Sequence, residues 1–248
     1  MKAIILCAGY ATRLYPLTLN QPKPLLPIGK ELMLEHILKK LTKLSEENIL
    51  DEIIIVTNDK FFPQFQSWKN NYNSKQNITL LNDKTKTNEE RLGAVGTIFH
   101  VLNKLQIDDD LIVIAGDNLF ELDMYEMYKK FKQKDSSIIA IYDLLEKQKL
   151  SKKFGVILTN HEGKIIDFEE KPEFPKSSLT ATAMYMLKKT DIELILNHHK
   201  QFERLDNMGD MIKLLSKQSN VYTLILDNWM DIGSKEDYEK ANEIYKMN

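Results

Sequence analysis

Short runs of apolar residues alternate along the chain with stretches in which apolar residues recur every three or four positions. A short apolar run predicts a buried strand, and the three-to-four spacing predicts an amphipathic helix. The first predicted strands are Ala3–Leu6, Glu52–Thr57, Ile78–Leu81, Leu111–Ala115 and Ile138–Tyr142. Two helical stripes are Leu32, Ile37, Leu38, Leu41 and Leu44, then Ile98, Val101, Leu102 and Leu105. This alternation predicts an α/β fold with a Rossmann-like mixed, mainly parallel sheet flanked by helices.

The pattern changes after about residue 144, where predicted strands follow one another through polar turns. These strands are Phe154–Leu158, Lys164–Glu169 and Ala181–Leu187. They predict an antiparallel excursion, followed by a strand at Val221–Leu226 and a helix from about Lys235 to Lys246. An α/β chain of 248 residues is commonly one domain, so we expect a single domain over 1–248 with two halves, about 1–143 and 144–248.

Charge and composition narrow the class of protein. The chain has 34 basic and 36 acidic residues and a formal net charge of −2, which argues against nucleic-acid or membrane binding through bulk charge. No apolar run approaches the roughly 18 residues of a membrane span, and Met1-Lys2 leads into a strand rather than a signal peptide. We therefore expect a cytoplasmic protein. Its single cysteine, Cys7, ends a predicted buried strand and is expected to act as a small hydrophobic residue.

The segment after the first strand has the composition of a phosphate-binding loop. The small residues Ala8 and Gly9 allow backbone N–H groups to approach an anion closely. Arg13 can form a two-pronged contact with phosphate oxygens, and Lys23 can supply a point charge. The N-terminal segment therefore predicts phosphate recognition. Because the net charge of the chain is near zero, this recognition must rest on local contacts.

Two aspartates follow predicted strands. Asp117 comes directly after Leu111–Ala115 and Gly116, at the strand end where ligands bind in open α/β sheets. A carboxylate there suits Mg²⁺, which prefers oxygen ligands together with substrate phosphates, but Asp after Gly is equally typical of a turn or helix cap. Asp231 precedes the last predicted helix and is a candidate cap, although Ser234 fits that role better.

A third charged segment follows the strand that ends at Glu169. Glu170 and Lys171 are stopped by Pro172, and the residue before a proline is biased toward extended backbone. Extended backbone would aim these side chains individually at a ligand. The alternative is an ordinary solvated run of charges.

These motifs together resemble those of the sugar-phosphate nucleotidyltransferases, most closely the thymidylyl- and uridylyltransferases. The resemblance rests on the loop through Arg13 and Lys23, on Gly116-Asp117-Asn118, on Glu170-Lys171-Pro172 and on Trp229-Met230-Asp231-Ile232-Gly233-Ser234. It implies a nucleoside triphosphate, with dTTP or UTP favoured, and a sugar 1-phosphate as substrates, and an NDP-sugar and pyrophosphate as products. It also implies Mg²⁺ held by Asp117 and Asp231, and a homo-oligomer.

The resemblance assigns the nucleotide to the half around 1–143. Arg13 and Lys23 would hold the triphosphate and the departing pyrophosphate, with Ala8 and Gly9 in the loop. The family usually has three glycines in this loop, whereas Ala8 and Ala11 stand in two of those places here. Gly93 lies where relatives read the pyrimidine base, although a plain loop-to-helix junction accounts for a glycine there as well.

The resemblance assigns the sugar phosphate to the half around 144–248. Lys171 would hold the phosphate of the acceptor, and Glu170 would bind sugar hydroxyls. Gly155 lies in an aromatic-Gly-Val segment that contacts the sugar phosphate in relatives, although it is also compatible with a simple kink in a strand. Thr182 lies in a segment where relatives usually have Thr-Gly, and Ala183 replaces that glycine.

Three other functions compete with this interpretation. A cytidylyltransferase for another phosphorylated acceptor would use the same motifs. A non-catalytic sugar-nucleotide binding protein on the same fold is a further possibility, because a fold does not fix a function. A dinucleotide-dependent reductase is disfavoured, because the loop lacks Gly-x-Gly-x-x-Gly and is too long for that turn.

Overall fold

A computed structural model describes residues 1–201 and 208–246. Its strands are β1 Lys2–Leu6, β2 Pro27–Ile28, β3 Glu31–Leu32, β4 Glu52–Thr57, β5 Ile78–Asn82, β6 Leu111–Ala115, β7 Asn118–Glu121, β8 Ser137–Asp143, β9 Val156–Thr159, β10 Ile165–Glu169, β11 Leu179–Leu187, β12 Val221–Ile225 and β13 Asn228–Asp231. Its α-helices are α1 Met33–Glu46, α2 Phe62–Asn71, α3 Gly93–Leu105, α4 Met124–Lys134, α5 Lys189–Gln201, α6 Met208–Gln218 and α7 Lys235–Lys246. The predicted α/β class and every predicted strand are confirmed, with ends that differ by two residues at most.

The chain forms two compact units. The first comprises Met1–Leu92, Ile114–Phe120 and Trp229–Asn248, and the second comprises Gly93–Val113 and Glu121–Asn228. The predicted ligand-binding halves at 1–143 and 144–248 stay a prediction. Among the described residues, no helix combines the length and the apolar character that crossing a bilayer demands.

The first unit is built on parallel strands. β4 pairs in parallel with β1 and with β5, and the Gly116 N–H donates to the Leu6 carbonyl beyond the end of β1. α1 buries the predicted stripe of Ile37, Leu38, Leu41 and Leu44. At its start, the Glu35 carboxylate accepts the Leu32 N–H at 3.0 Å and so satisfies an otherwise free backbone donor.

The C-terminal helix α7 completes a separate core in the first unit. Its Ala241 is buried in one cluster with residues from the N-terminal stretch, namely Leu14, Leu26, Ile28 and Met33, and with Leu119 and Ile232. Tyr238 donates to the Pro27 carbonyl at 2.9 Å, and Asn242 accepts the Gly29 N–H at 3.0 Å. The segment that follows the phosphate loop is therefore held in place by the other end of the chain.

The second unit confirms the antiparallel excursion. β9 runs antiparallel to β10 and to β11, and β11 runs antiparallel to β8. β12 pairs with β8 in parallel, because α5 and α6 return the chain before β12 begins. The predicted α3 stripe is buried at Ile98, Val101 and Leu102.

One strand of the second unit contains a conformation that alanine rarely adopts. The pairing of β11 with β8 shifts register between Ala181 and Tyr185, and Ala183 in this bulge has φ 57°. Positive φ brings the alanine Cβ close to the backbone, whereas glycine has no Cβ to clash. The position where the resemblance of the motifs implies glycine thus has the backbone that favours glycine.

Ala183→Gly is expected to stabilise the protein by about 0.5–1 kcal/mol, because relief of the left-handed strain exceeds the entropy that glycine loses on folding. Ala181→Gly is the matched control in the same strand, without a positive φ, and it should destabilise by about 0.5–1 kcal/mol. Urea unfolding of both variants measures the difference. A loss of stability in Ala183→Gly would show that the alanine methyl contributes more by packing than it costs by strain.

Candidate active site

The phosphate loop of the first unit leaves β1 in a tight turn. Ala11 is left-handed, with φ 47° and ψ 43°, and a short 3-10 turn at Thr12–Leu14 follows. Leu14 is buried by this turn, whereas Arg13 is exposed. A Cβ added to Gly9 would meet no atom within 4 Å. The loop therefore presents an exposed glycine and, four residues later, an exposed guanidinium.

Lys23 contacts the predicted metal-binding residue directly. Its Nζ donates to Asp117 Oδ2 at 3.0 Å, and only 6% of Lys23 is exposed. Asp117 Oδ1 accepts from the Asn118 side chain at 2.9 Å, and Asn118 in turn accepts from Trp229 Nε1 at 2.7 Å. Lys23 thus holds one oxygen of the Asp117 carboxylate and Asn118 holds the other. Sequence analysis assigned no role to Asn118 or to Trp229, which orients it.

The helices that Asp117 and Asp231 could have capped are capped by other residues. Helix α4 is capped by Asp123, whose Oδ1 accepts the Tyr125 N–H at 2.8 Å. Helix α7 is capped by Ser234, whose Oγ accepts the Asp237 N–H at 3.2 Å. Across the described parts of the chain, neither the Asp117 nor the Asp231 carboxylate accepts a backbone N–H. Neither side chain caps a helix, so the capping alternative accounts for neither aspartate.

Asp231 lies in the same charged cluster. Burial raises the pKa of Asp231, the Asp117 carboxylate raises it further, and Lys23 and Arg13 act in the opposite direction. A Cβ at Gly233 would lie 3.5 Å from Asp231 Oδ2 and 3.9 Å from Arg13 Nη1. The first unit therefore gathers Arg13, Lys23, Asp117 and Asp231, all four of which were predicted from sequence.

The donor set of this cluster suits magnesium. Two carboxylates that repel one another, both of them half-buried, would be stabilised by a bound divalent cation. Magnesium typically takes one or two carboxylates and completes its shell with water and phosphate oxygens. Within residues 1–201 and 208–246, no group of three His, Cys, Asp or Glu residues could form an all-protein site. The set fits a metal that arrives with a phosphate substrate.

Cys7 is not equipped as a nucleophile. Burial raises the pKa of the Cys7 thiol well above its usual value, and the Asp117 charge raises it further. The thiolate is the reactive form of cysteine, so this environment keeps the residue inert. Its expected role as a small hydrophobic residue agrees with its position in the core.

Two glycines of the second unit, Gly155 and Gly209, lie against the side chains of Phe168 and Glu170. A Cβ at Gly155 would lie 2.5 Å from the Phe168 ring, and a Cβ at Gly209 would lie 2.5 Å from Glu170 Oε2. A Cβ at either position would force these side chains to shift, because such distances are far inside van der Waals contact. Gly155 also accepts from the Thr180 hydroxyl at 2.9 Å through its carbonyl. Gly155 therefore serves close packing against Phe168, and its predicted contact with a sugar phosphate stays a prediction.

Lys171 is exposed beside Glu170. Its Nζ lies 3.6 Å from Glu170 Oε1, and 58% of its side chain is accessible. The expectation of extended backbone is wrong here, because Lys171 has φ 44°. The chain bends at this point, since the Pro172 carbonyl accepts the Lys152 N–H at 3.0 Å and draws the following loop toward residue 152.

Two predicted substrate-binding residues have structural partners. The Thr182 side chain is buried and its hydroxyl donates to the Ala140 carbonyl at 2.8 Å, so this geometry does not support a direct contact with a sugar. Gly93 has φ 73° and begins α3, where its carbonyl accepts the Thr97 hydroxyl at 2.8 Å. Gly93 thus forms the loop-to-helix junction, and its contact with a base stays a prediction.

Comparison with known proteins identifies the family of the chain. The family model for nucleotidyl transferases matches residues 2–248. The chain belongs to the nucleotidyl transferase family, and the resemblance deduced from its motifs is confirmed.

Two relatives of the chain are similar to it over almost its whole length. Bifunctional protein GlmU of Methanocaldococcus jannaschii is 34% identical over 247 residues, which cover 98% of this chain and 54% of that protein. A putative mannose-1-phosphate guanyltransferase of Sulfolobus acidocaldarius is 30% identical over 245 residues, covering 98% of this chain and 62% of that protein. The chain thus spans little more than half the length of these relatives.

A putative glucose-1-phosphate thymidylyltransferase from Bacillus anthracis, crystallised with a sucrose, superposes with a TM-score of 0.81 at 23% identity. The superposition covers 99% of this chain and 95% of that one. At this identity the likeness shows a shared fold.

Proposed function

We propose that the protein transfers a nucleoside monophosphate from a pyrimidine nucleoside triphosphate to a sugar 1-phosphate, releasing pyrophosphate and forming an NDP-sugar. The observation that carries the proposal is the ion pair of the buried Lys23 with the half-exposed Asp117, in the same charged cluster as Asp231 and Arg13. Two cations from the N-terminal segment and two carboxylates from other strand ends of the first unit match the charges of a triphosphate with its magnesium. Membership of the nucleotidyl transferase family supports the same reaction class.

In the proposed reaction an oxygen of the acceptor phosphate bonds to the α-phosphorus, and the bond between that phosphorus and the bridging oxygen to the β-phosphate breaks. The bridging electrons leave with pyrophosphate. The acceptor is already an anion, so no general base has to remove a proton. Catalysis of such a transfer rests on positioning and on stabilisation of developing charge. Arg13 and Lys23 would stabilise the charge that builds on pyrophosphate, and Lys171 would orient the acceptor.

Asp117 and Asp231 would hold magnesium, which when bound neutralises phosphate charge. Before it binds, Lys23 balances part of the carboxylate charge through its contact with Asp117. The same ammonium is then available to phosphate oxygens.

The identity of the base is the finer part of the proposal. The resemblance of the sequence motifs to those of thymidylyl- and uridylyltransferases favours dTTP or UTP. The guanyltransferase name of the Sulfolobus acidocaldarius relative makes GTP the principal competitor. A panel of nucleotides decides between them.

Pyrophosphate release tests the proposed function. We expect release only when a nucleoside triphosphate, Mg²⁺ and a sugar 1-phosphate are all present, and fastest with dTTP or UTP. The screen pairs dTTP, UTP, CTP and GTP with sugar 1-phosphates and phosphocholine, with and without EDTA. Turnover that survives EDTA would refute the magnesium assignment, and a preference for GTP would refute the pyrimidine assignment. Tight binding of an NDP-sugar without any turnover would favour the non-catalytic alternative.

Lys171→Ala is expected to raise KM for the sugar 1-phosphate by about 10–100-fold, because a charge-assisted contact with phosphate is lost. Affinity for the nucleotide alone and the melting temperature should stay unchanged, since the side chain is exposed. Lys176→Ala is the matched control, because Lys176 is equally exposed and pairs with Glu169. Initial rates at varied acceptor, together with calorimetric titration of the nucleotide, measure both. A weakened nucleotide affinity in Lys171→Ala would place this lysine on the other substrate.

A further inference from the structure

Two carbonyls of the phosphate loop are held by side chains from elsewhere in the first unit. Asn58 Nδ2 donates to the Ala8 carbonyl at 3.0 Å, and Thr18 Oγ1 donates to the Ala11 carbonyl at 2.7 Å. Both donor side chains belong to residues with no exposed surface. The carbonyls of Ala8 and Ala11 are therefore turned toward the protein interior.

This arrangement fixes the direction of two backbone donors. In a trans peptide the C=O and N–H bonds point in opposite directions. The Gly9 N–H belongs to the same peptide as the Ala8 carbonyl, and the Thr12 N–H to the same peptide as the Ala11 carbonyl. Both N–H groups thus point away from Asn58 and Thr18. Gly9 and Thr12 are exposed, and neither N–H has an acceptor in the described part of the chain.

We propose that Asn58 and Thr18 are positioning residues that hold the Gly9 and Thr12 N–H groups toward the phosphates of the nucleoside triphosphate. Neither side chain reaches the ligand, because both are enclosed by protein. The inference rests on the proposed function, since it assigns these N–H groups to the triphosphate of that reaction.

An alanine in a left-handed conformation gives this loop a reason to need the hydrogen bonds of Asn58 and Thr18. Ala11 occupies a left-handed conformation that costs an alanine free energy, and the Thr18 hydroxyl and the Leu14 N–H both bond its carbonyl in that conformation. Asn58 has a second bond, because its Oδ1 accepts the Phe61 N–H at 3.0 Å just before α2. The loop peptide is thereby tied to the start of a helix, which restricts its rotation.

Thr18→Val tests the proposal, because valine keeps the shape of threonine and lacks the hydroxyl. We expect the dissociation constant for the nucleotide to rise about ten-fold, which corresponds to the loss of one hydrogen bond that orients a phosphate donor. Thr18→Ser keeps the hydroxyl and should restore affinity to within about two-fold of wild type. Asn58→Ser, which keeps an acceptor for the Phe61 N–H but cannot reach Ala8, should weaken binding as Thr18→Val does.

Thr223→Val is the matched control, since Thr223 is buried and its hydroxyl donates to the Gly163 carbonyl at 3.1 Å, outside the loop. It should lower the melting temperature as Thr18→Val does and leave the dissociation constant unchanged. Calorimetric titration with dTTP, UTP, CTP and GTP in Mg²⁺, without acceptor, measures all variants. If wild type binds one of these and Thr18→Val and Asn58→Ser bind it equally well, the positioning role is refuted and the proposed function stands. If wild type binds none of them, the proposed function fails and the inference fails with it.

Discussion

Asp117→Asn is expected to lower turnover by about 10²–10³-fold, because it removes a charged oxygen from the proposed magnesium pair. The protein should stay folded, with a loss of stability within about 2 kcal/mol. Asparagine keeps an oxygen for the Asn118 side chain, and Lys23 retains a nearby carboxylate in Asp231. Pyrophosphate release and thermal unfolding, measured on one preparation, separate the two effects.

Asp123→Asn is the matched control for this substitution. Asp123 caps α4, and asparagine caps a helix about as well as aspartate, so neither rate nor stability should change appreciably. Should Asp117→Asn retain full turnover while its melting temperature falls, Asp117 would be a structural residue that serves Lys23.

Lys23→Met is expected to slow turnover by roughly thirty- to several-hundred-fold, corresponding to about 2–4 kcal/mol of lost transition-state stabilisation. Methionine keeps the volume of this buried side chain but leaves Asp117 and Asp231 without their ammonium. The remaining carboxylates repel one another, so the variant should also lose about 1–3 kcal/mol of stability. Magnesium should restore part of that loss, and a thermal melt with and without EDTA measures the difference.

Lys2→Met controls for the loss of an ion pair as such. Lys2 pairs with Glu52 at 2.5 Å on neighbouring strands of the first unit, outside the phosphate loop. Its substitution should leave turnover and the magnesium dependence of the melting temperature unchanged. Equal magnesium dependence in Lys2→Met and Lys23→Met would contradict the assignment of Asp117 and Asp231 to the metal.

Much of the fold could be predicted because its strands are continuous apolar runs. Glu52–Thr57 and Leu111–Ala115 have the predicted ends, since polar or glycine residues flank each buried run. β7 and β13 escaped prediction, because they are short, partly polar strands whose pairing joins distant parts of the chain. The local pattern of apolar and polar residues does not indicate that β7 pairs with β13.

The site was predictable where charge marks it. Arg13, Lys23, Asp117 and Asp231 are charged residues at strand ends or in loops, and motif spacing selects them. Asn58 and Thr18 act through bonds to backbone carbonyls, and the bond from Asn58 to Ala8 spans 50 residues of sequence. Such contacts form only in the folded chain and leave no local pattern in the sequence. At Lys171 the prediction from the local sequence is wrong. The following proline predicts extended backbone, but Lys171 has a positive φ beside the hydrogen bond from the Lys152 N–H to the Pro172 carbonyl.

The division of the first unit into three stretches has a consequence for its synthesis. The ribosome makes Met1–Leu92 first, yet the core around Ile28 also needs Ala241 of α7. At ~5–20 residues per second, translation from Gly93 to Asn228 takes roughly 7–27 s. Throughout that interval Leu14 and Ile28 lack the helix that covers them, so the nascent chain exposes an apolar surface on which chaperones can act. The residues of the phosphate loop are therefore among the earliest to be made and among the last to be fixed in place.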